Sequence, residues 1–215
     1  MTSTLSASAL DGLLQRLGKA NRAQAAAFPG DPTSRQPLHT VYGGAQLFRA
    51  DRVPRLGRGA LAALEATAPT PAALAEVLGL DPALAVRVHP RVLEKLQREP
   101  VEDFRIDFED GFGIRPDAEE DATALVAATE LARSVREGTA SPFTGIRIKN
   151  LGEEMKGRAL RTLDLFVTRL VAELGGLPPN FVVTLPKITS AAQVEGLVGA
   201  LEGLEEGLGL HASSL

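Results

Sequence analysis

The spacing of hydrophobic positions changes along the chain. Leu10, Leu13, Leu14 and Leu17 recur at helical intervals in an Ala- and Leu-rich opening stretch, which predicts an amphipathic helix ending near Phe28. Residues 29–37 (PGDPTSRQP) hold three Pro and one Gly and read as a loop. Leu38-His39-Thr40-Val41-Tyr42 is strand-like and closes on Gly43-Gly44. From there to about Glu99 the spacing is helical, with breaks expected at Pro54, Gly57, Pro69, Pro71, Pro82 and Pro90. Thr70-Pro71 reads as an N-cap followed by Pro at the first helical position.

Beyond residue 100, strands and helices alternate regularly. Strands are predicted near 101–108, 145–149 and 181–185, with helices over Asp117–Val135, Glu154–Leu174 and Ser190 to about Leu208. That alternation is the signature of right-handed βαβ units and a parallel sheet. With the strand near 38–42 the count is four, whereas a closed (β/α)₈ barrel needs eight strands and about 250 residues. The expected class is therefore α/β: a parallel (β/α) barrel of TIM type truncated after about four strands, with an N-terminal helical extension. Residues 1–36 would form the extension and 37–215 the partial barrel. An open α/β sheet is the alternative, and the tail GLGLHASSL reads as a loop.

Composition narrows the classes. The chain has 215 residues, 44% hydrophobic and 23% charged, as a globular protein does. The absence of Cys excludes disulfides, a Cys zinc site and a thiol nucleophile. A net charge of −4 points away from nucleic acid and anionic membranes. No apolar run reaches the ~18 residues of a membrane span, and no basic residue precedes Arg16, so a cytoplasmic location is expected. With aromatics at 4%, the core is expected to be built from Ala, Leu, Val and Ile.

Charge placement supplies the candidate chemistry. Strands of a parallel sheet usually read as continuous apolar runs, but residues 104–110 alternate. Phe104, Ile106 and Phe108 fall on one face and Arg105, Asp107 and Glu109 on the other. Ile146 and Ile148 likewise oppose Arg147 and Lys149. Asp107, Glu109 and Asp110 thus gather with Arg147, Lys149 and Lys187 near the C-terminal strand ends, where barrels and doubly wound sheets place their sites. Such a set suits a divalent cation and an anionic substrate; an edge strand with a solvated face is the plain alternative. Lys187 reads as a Schiff-base amine, an anion anchor or a snorkelling surface residue. Gly111 and Gly113 permit a tight turn. His39, His89 and His211 are scattered, without metal-ligand spacing. His39 lies in the first strand and is a candidate for the pocket, although a hydrogen-bonded core histidine is the plainer reading.

Three segments resemble the citrate lyase beta-subunit and malyl-CoA lyase-like aldolases (the HpcH/HpaI aldolase family). Ile106-Asp107-Phe108-Glu109-Asp110-Gly111 resembles that family's "LDLEDAV" strand, followed by an acidic, Ala-rich helix as at Pro116 to Ala128. Gly145-Ile146-Arg147-Ile148 resembles "VRIN", and Leu185-Pro186-Lys187-Ile188-Thr189-Ser190-Ala191 resembles "LPKVESA". The match covers roughly residues 100 to 200, and the order agrees. The resemblance implies a (β/α)₈ barrel of the phosphoenolpyruvate/pyruvate superfamily that makes or breaks carbon–carbon bonds next to a carbonyl, with Mg²⁺ or Mn²⁺. It implies Arg147 on the substrate carboxylate or enolate oxygen, and Glu109 and Asp110 beside the metal, through its waters. Lys149, Lys187 and His39 complete the expected substrate contacts, with a small carboxylate or acyl-CoA as substrate and a homo-oligomer as the assembly. Lys149 stands where the family has Asn, Asn150 follows it, and His39-Thr40 replaces an Arg-Ser pair. The family's direct metal carboxylates lie on strands five and six, beyond residue 215. A phosphoenolpyruvate- or pyruvate-directed enzyme and a non-catalytic α/β binding module are the alternatives.

Overall fold

The structure, a computed structural model, describes residues 4–31 and 33–215. The chain divides into two compact units, Met1–Gln36 and Pro37–Leu215. The first is built on helix α1, Ala7–Ala27, whose N-terminus is capped by Ser6 accepting the Ala9 N–H at 3.2 Å. Leu10, Leu13, Leu14 and Leu17 form an exposed stripe along it.

The second unit runs β1 (Thr40–Gly44), a 3₁₀ turn (Ala45–Leu47), α2 (Arg52–Thr67), α3 (Pro71–Leu78), α4 (Pro82–Arg98), β2 (Asp103–Asp107), α5 (Asp117–Arg136), β3 (Phe143–Arg147), α6 (Lys156–Leu174), β4 (Phe181–Thr184) and α7 (Ala191–Leu208). The four strands form one parallel sheet in the order β1-β2-β3-β4. The architecture is mixed α/β, with helices flanking that sheet. Among the described residues no helix is long and apolar enough to cross a membrane.

Local physics explains where the elements depart from expectation. β1 starts two residues late because the Leu38 N–H donates to Glu102 Oε2 at 2.5 Å, which ties the entry to the strand rather than pairing it in the sheet. Thr70 and Asp81 cap α3 and α4 with Pro at the first helical position, so those breaks are real. Pro54, Gly57 and Pro90 break nothing. Pro54 lies in the first turn of α2, where an N–H has no helical partner. A Cβ on Gly57 would lie 2.6 Å from Pro100 Cγ, so the glycine allows close packing while the helix continues. Pro90 sits on the exposed side of α4, where water can satisfy the carbonyl it leaves. His89, the preceding residue, is turned inward, where it is buried and hydrogen-bonds the Ala68 carbonyl at 3.0 Å.

One sheet face is apolar. Phe104, Ile106, Phe108, Ile146 and Ile148 are fully shielded against α5 and α6, where Ala124, Ala127, Ala128 and Ala132 let the helices approach closely. The scarcity of aromatics is misleading about the core: six of the eight Phe lie in it. Phe166 bridges the layers, edge-on to Phe108 at 6.1 Å and stacked on Phe181 at 6.3 Å between ring centroids. The tail is anchored as well, because Glu205 accepts the N–H groups of Leu215 at 2.8 Å and Ser213 at 3.0 Å.

Phe166→Ala is expected to lower the unfolding free energy by about 3–5 kcal/mol, read from the urea midpoint. Phe28→Ala, at a 70% exposed position, is expected to change it by no more than about 0.5 kcal/mol.

Candidate functional site

β2 ends at Asp107 and β3 at Arg147, register partners in adjacent central strands. The charged face is therefore not a solvated sheet edge. Arg147 donates from Nε to Asp107 Oδ1 at 2.8 Å and from Nη2 to Oδ2 at 2.6 Å. The same carboxylate accepts the Glu109 N–H at 2.9 Å and the Gly111 N–H at 2.7 Å. Four donors thus close around one buried carboxylate. A Cβ at Gly111 would lie 2.6 Å from Asp107 Oδ2, and one at Gly44 would lie 2.3 Å from the Gly111 carbonyl, so this turn needs both glycines. Burial pushes the Asp107 carboxyl upward. Arg147 and the two N–H groups outweigh that and hold it below the usual carboxylate range. The Asp107 hydrogen bonds raise the Arg147 guanidinium against the opposing effect of its partial burial.

The Tyr42 ring supports Arg147, with Cζ 4.5 Å from the ring centroid. Nη1 of Arg147 faces Glu109 Oε2 at 3.7 Å, too far for a hydrogen bond. Lys187 Nζ reaches Glu109 Oε1 at 2.6 Å and Asp110 Oδ1 at 2.8 Å. Lys187 also has a left-handed backbone, φ 51°, a strained conformation for a side chain of its kind. Hydrogen bonds to Asp110 and Glu109 raise its ammonium, the opposite of what a Schiff-base amine requires. The Lys187 contact lowers Asp110 in turn. A cleft of about 290 Å³ opens here, lined among others by Glu109, Asp110, Lys149, Asn150, Met155 and Lys187.

Glu109, Asp110, Arg147 and Lys187 come together as the strand pattern suggests. Lys149 lines the same cleft, but its ammonium is turned away from Arg147. It lies 2.8 Å from Glu120 and donates to the Phe108 carbonyl at 2.7 Å. The reason is that β3 ends at Arg147, so strand alternation no longer governs residue 149. His39 is not in the cluster. It precedes β1 at the N-terminal end of the sheet, about 13 Å of strand from the site, and its Nε2 accepts the Glu102 N–H at 3.4 Å.

Two residues matter more than their sequence context suggests. Glu120 reads as one of three acids stabilising a helix start, yet it is fully buried and pairs with Lys149 and Thr162. Its spacing to Ala124, Ala127, Ala128 and Leu131 places it on the core face of α5, a signal present in the sequence. Asp107 stands out in sequence only as one charge of several; its four-donor cradle depends on the fold.

These residues fit a divalent cation incompletely. Glu109 Oε2 is buried with no hydrogen-bond partner, but Lys187 already pairs with Glu109 Oε1 and Asp110 Oδ1, and Asp110 Oδ2 faces Arg147 Nη2 at 3.7 Å. Among the described residues no group of three or more His, Cys, Asp or Glu could hold a metal ion. A cation at this place needs donors from elsewhere.

A family model described as a domain of unknown function (DUF6986) matches residues 17–215. No curated protein and no solved structure matches the chain.

Because Asp107 titrates lower in the fold than in the unfolded chain, its contribution to stability is complete above about pH 4. That contribution is lost as pH falls through the lowered native value. Asp107→Asn is expected to cost about 2–4 kcal/mol at neutral pH. The difference from wild type should narrow steadily below about pH 4 in urea titrations run across pH.

Proposed function

We propose that the chain, which belongs to the DUF6986 family, is part of a carbon–carbon lyase of aldolase or acyl-CoA lyase type. Its substrate is a 2-oxo acid or hydroxy-acyl compound handled through an enolate, on a (β/α) barrel of TIM type to which this sheet contributes four strands. The supporting observation is the fixed Arg147. Two of its nitrogens are locked onto Asp107 at the C-terminal strand ends, and Nη1 is left facing Glu109. A guanidinium already oriented by its own protein carboxylate can meet a developing oxyanion without reorganising, which is where electrostatic catalysis is most effective. Lys187 is placed to meet a substrate carboxylate, and Tyr42 shields one face of Arg147.

Charge bookkeeping supports a further cation. Asp107, Glu109 and Asp110 against Arg147 and Lys187 leave one net negative charge, which disfavours an anionic substrate alone. The reading therefore keeps Mg²⁺ or Mn²⁺, which would polarise the substrate carbonyl, and assigns its direct donors to another segment or to a second subunit of a homo-oligomer. The second reading is a non-catalytic binding module. It is favoured by the mutual neutralisation of Lys187, Glu109 and Asp110.

The test is a thermal melt of the chain with EDTA, with Mg²⁺, and with Mg²⁺ plus oxalate, a mimic of the pyruvate enolate. A ligand that binds only the native state raises the midpoint. If a second copy supplies the cation donors, wild type responds to Mg²⁺ plus oxalate, and Arg147→Lys, which loses the planar fork, weakens the binding about tenfold or more. An unresponsive wild type removes the second-subunit form of the reading and leaves donors on another segment or the binding module.

A further inference from the structure

A cavity of about 390 Å³ opens at the N-terminal ends of β2 and β3, a strand's length from the Asp107–Arg147 pair. It lies between α2, the end of α4 and the loop that joins α5 to β3. Much of its wall is apolar: Val53 and Leu61 from α2, Leu96 from α4, and Val101 and Pro142 from the approaches to the strands. Arg58, Gln97 and Arg98 also line it, and among the described residues none of these three side chains makes a hydrogen bond or an ion pair. Glu99, the acid that lines the same cavity, is already held by Lys95 at 2.5 Å. A cation in the last turn of a helix complements its dipole, which accounts for Arg98 at the end of α4. No such reason applies to Arg58, two turns into α2. The loop wall is firmly tied. The Ser134 carbonyl accepts the N–H groups of Thr139 at 2.8 Å and Ala140 at 3.2 Å, and the Thr139 hydroxyl donates to the Ala50 carbonyl at 2.9 Å.

We propose that this cavity is a second binding site, for a small organic anion with an apolar body. Small-molecule sites are concave, mostly apolar and set with a few convergent polar groups. Arg58 and Arg98 would take the anionic group, since guanidinium matches carboxylate and phosphate alike. Gln97 adds amide donors, and the aliphatic wall takes the body in exchange for water. Without an anion the two cations stand beside apolar surface with no counter-charge from the protein. The inference is independent of the lyase reading, because none of these residues belongs to the charged cluster at the other end of the sheet.

The experiment is a calorimetric titration of the full chain with benzoate, phenyl phosphate, benzamide and acetate. Benzamide keeps the ring without the charge, and acetate keeps the charge without the ring. Wild type is expected to bind benzoate or phenyl phosphate about tenfold or more tighter than benzamide, as charge-assisted hydrogen bonds allow. The same anion is expected to bind about tenfold or more tighter than acetate, from the apolar contact. Whichever of the two anions binds tighter names the anionic group. Arg58→Gln and Arg98→Gln, both at exposed positions, are each expected to weaken that binding about tenfold. Arg58→Lys and Arg98→Lys, which keep the charge but lose the fork, are expected to weaken it in part, and they serve if a Gln variant does not fold. Lys187→Gln, in the cleft at the other end of the sheet, is expected to leave it unchanged. Equal binding of benzamide and both anions by wild type would overturn the proposal. So would the absence of saturable binding of either anion by folded wild type in the millimolar range. Binding lost in Lys187→Gln and kept in Arg58→Gln would place the anion at the charged cluster and overturn it as well.

Discussion

A single bidentate ion pair organises this molecule's charged end. Asp107 and Arg147 close the last rungs of β2 and β3, and their four-donor carboxylate fixes the turn through Glu109 and Gly111. That turn sets where Glu109 and Asp110 stand, and they in turn receive Lys187 from the loop after β4. Removing either member of such a pair leaves a charge without its partner in a largely desolvated place. The turn, the carboxylate pair and the lysine therefore depend on it together.

The opposite sheet face supplies the rigidity that makes this arrangement useful. Phe104, Ile106 and Phe108 alternate with the charged residues and are locked under α5 and α6. The strand cannot slip by one residue without exchanging an apolar face for a charged one. Glu120 adds a second tie across the same region, joining Lys149 on the chain after β3 to Thr162 on α6. The Asp107–Arg147 pair thus stands on central strands, and Glu109, Asp110 and Lys187 are held on the loops that follow the strands.

Much of this was legible in the residues, and the exceptions have identifiable causes. Alternation at 104–108 located both faces of β2, and Thr70-Pro71 located the start of α3, because these signals are local. Pro90 misled because its effect depends on which side of α4 meets water. Lys149 misled because strand alternation was carried two residues past the end of β3. His39 was placed near the pocket by its strand, but the parallel register puts that end of β1 away from the charges. The scarcity of Phe concealed its concentration in the core, since composition carries no position. Asp107 could not be ranked above its neighbours, since its four donors come from the adjacent strand β3 and from a turn, which meet only in three dimensions.

Asp107 and Arg147 act as one unit. A double-mutant cycle of Asp107→Asn, Arg147→Gln and the combined variant, followed by urea unfolding at neutral pH, measures it directly. A coupling of about 1.5 kcal/mol or more is expected, with the double variant far less destabilised than the two single losses together imply. Additivity within about 0.5 kcal/mol would contradict it, and the two residues would then contribute to stability independently.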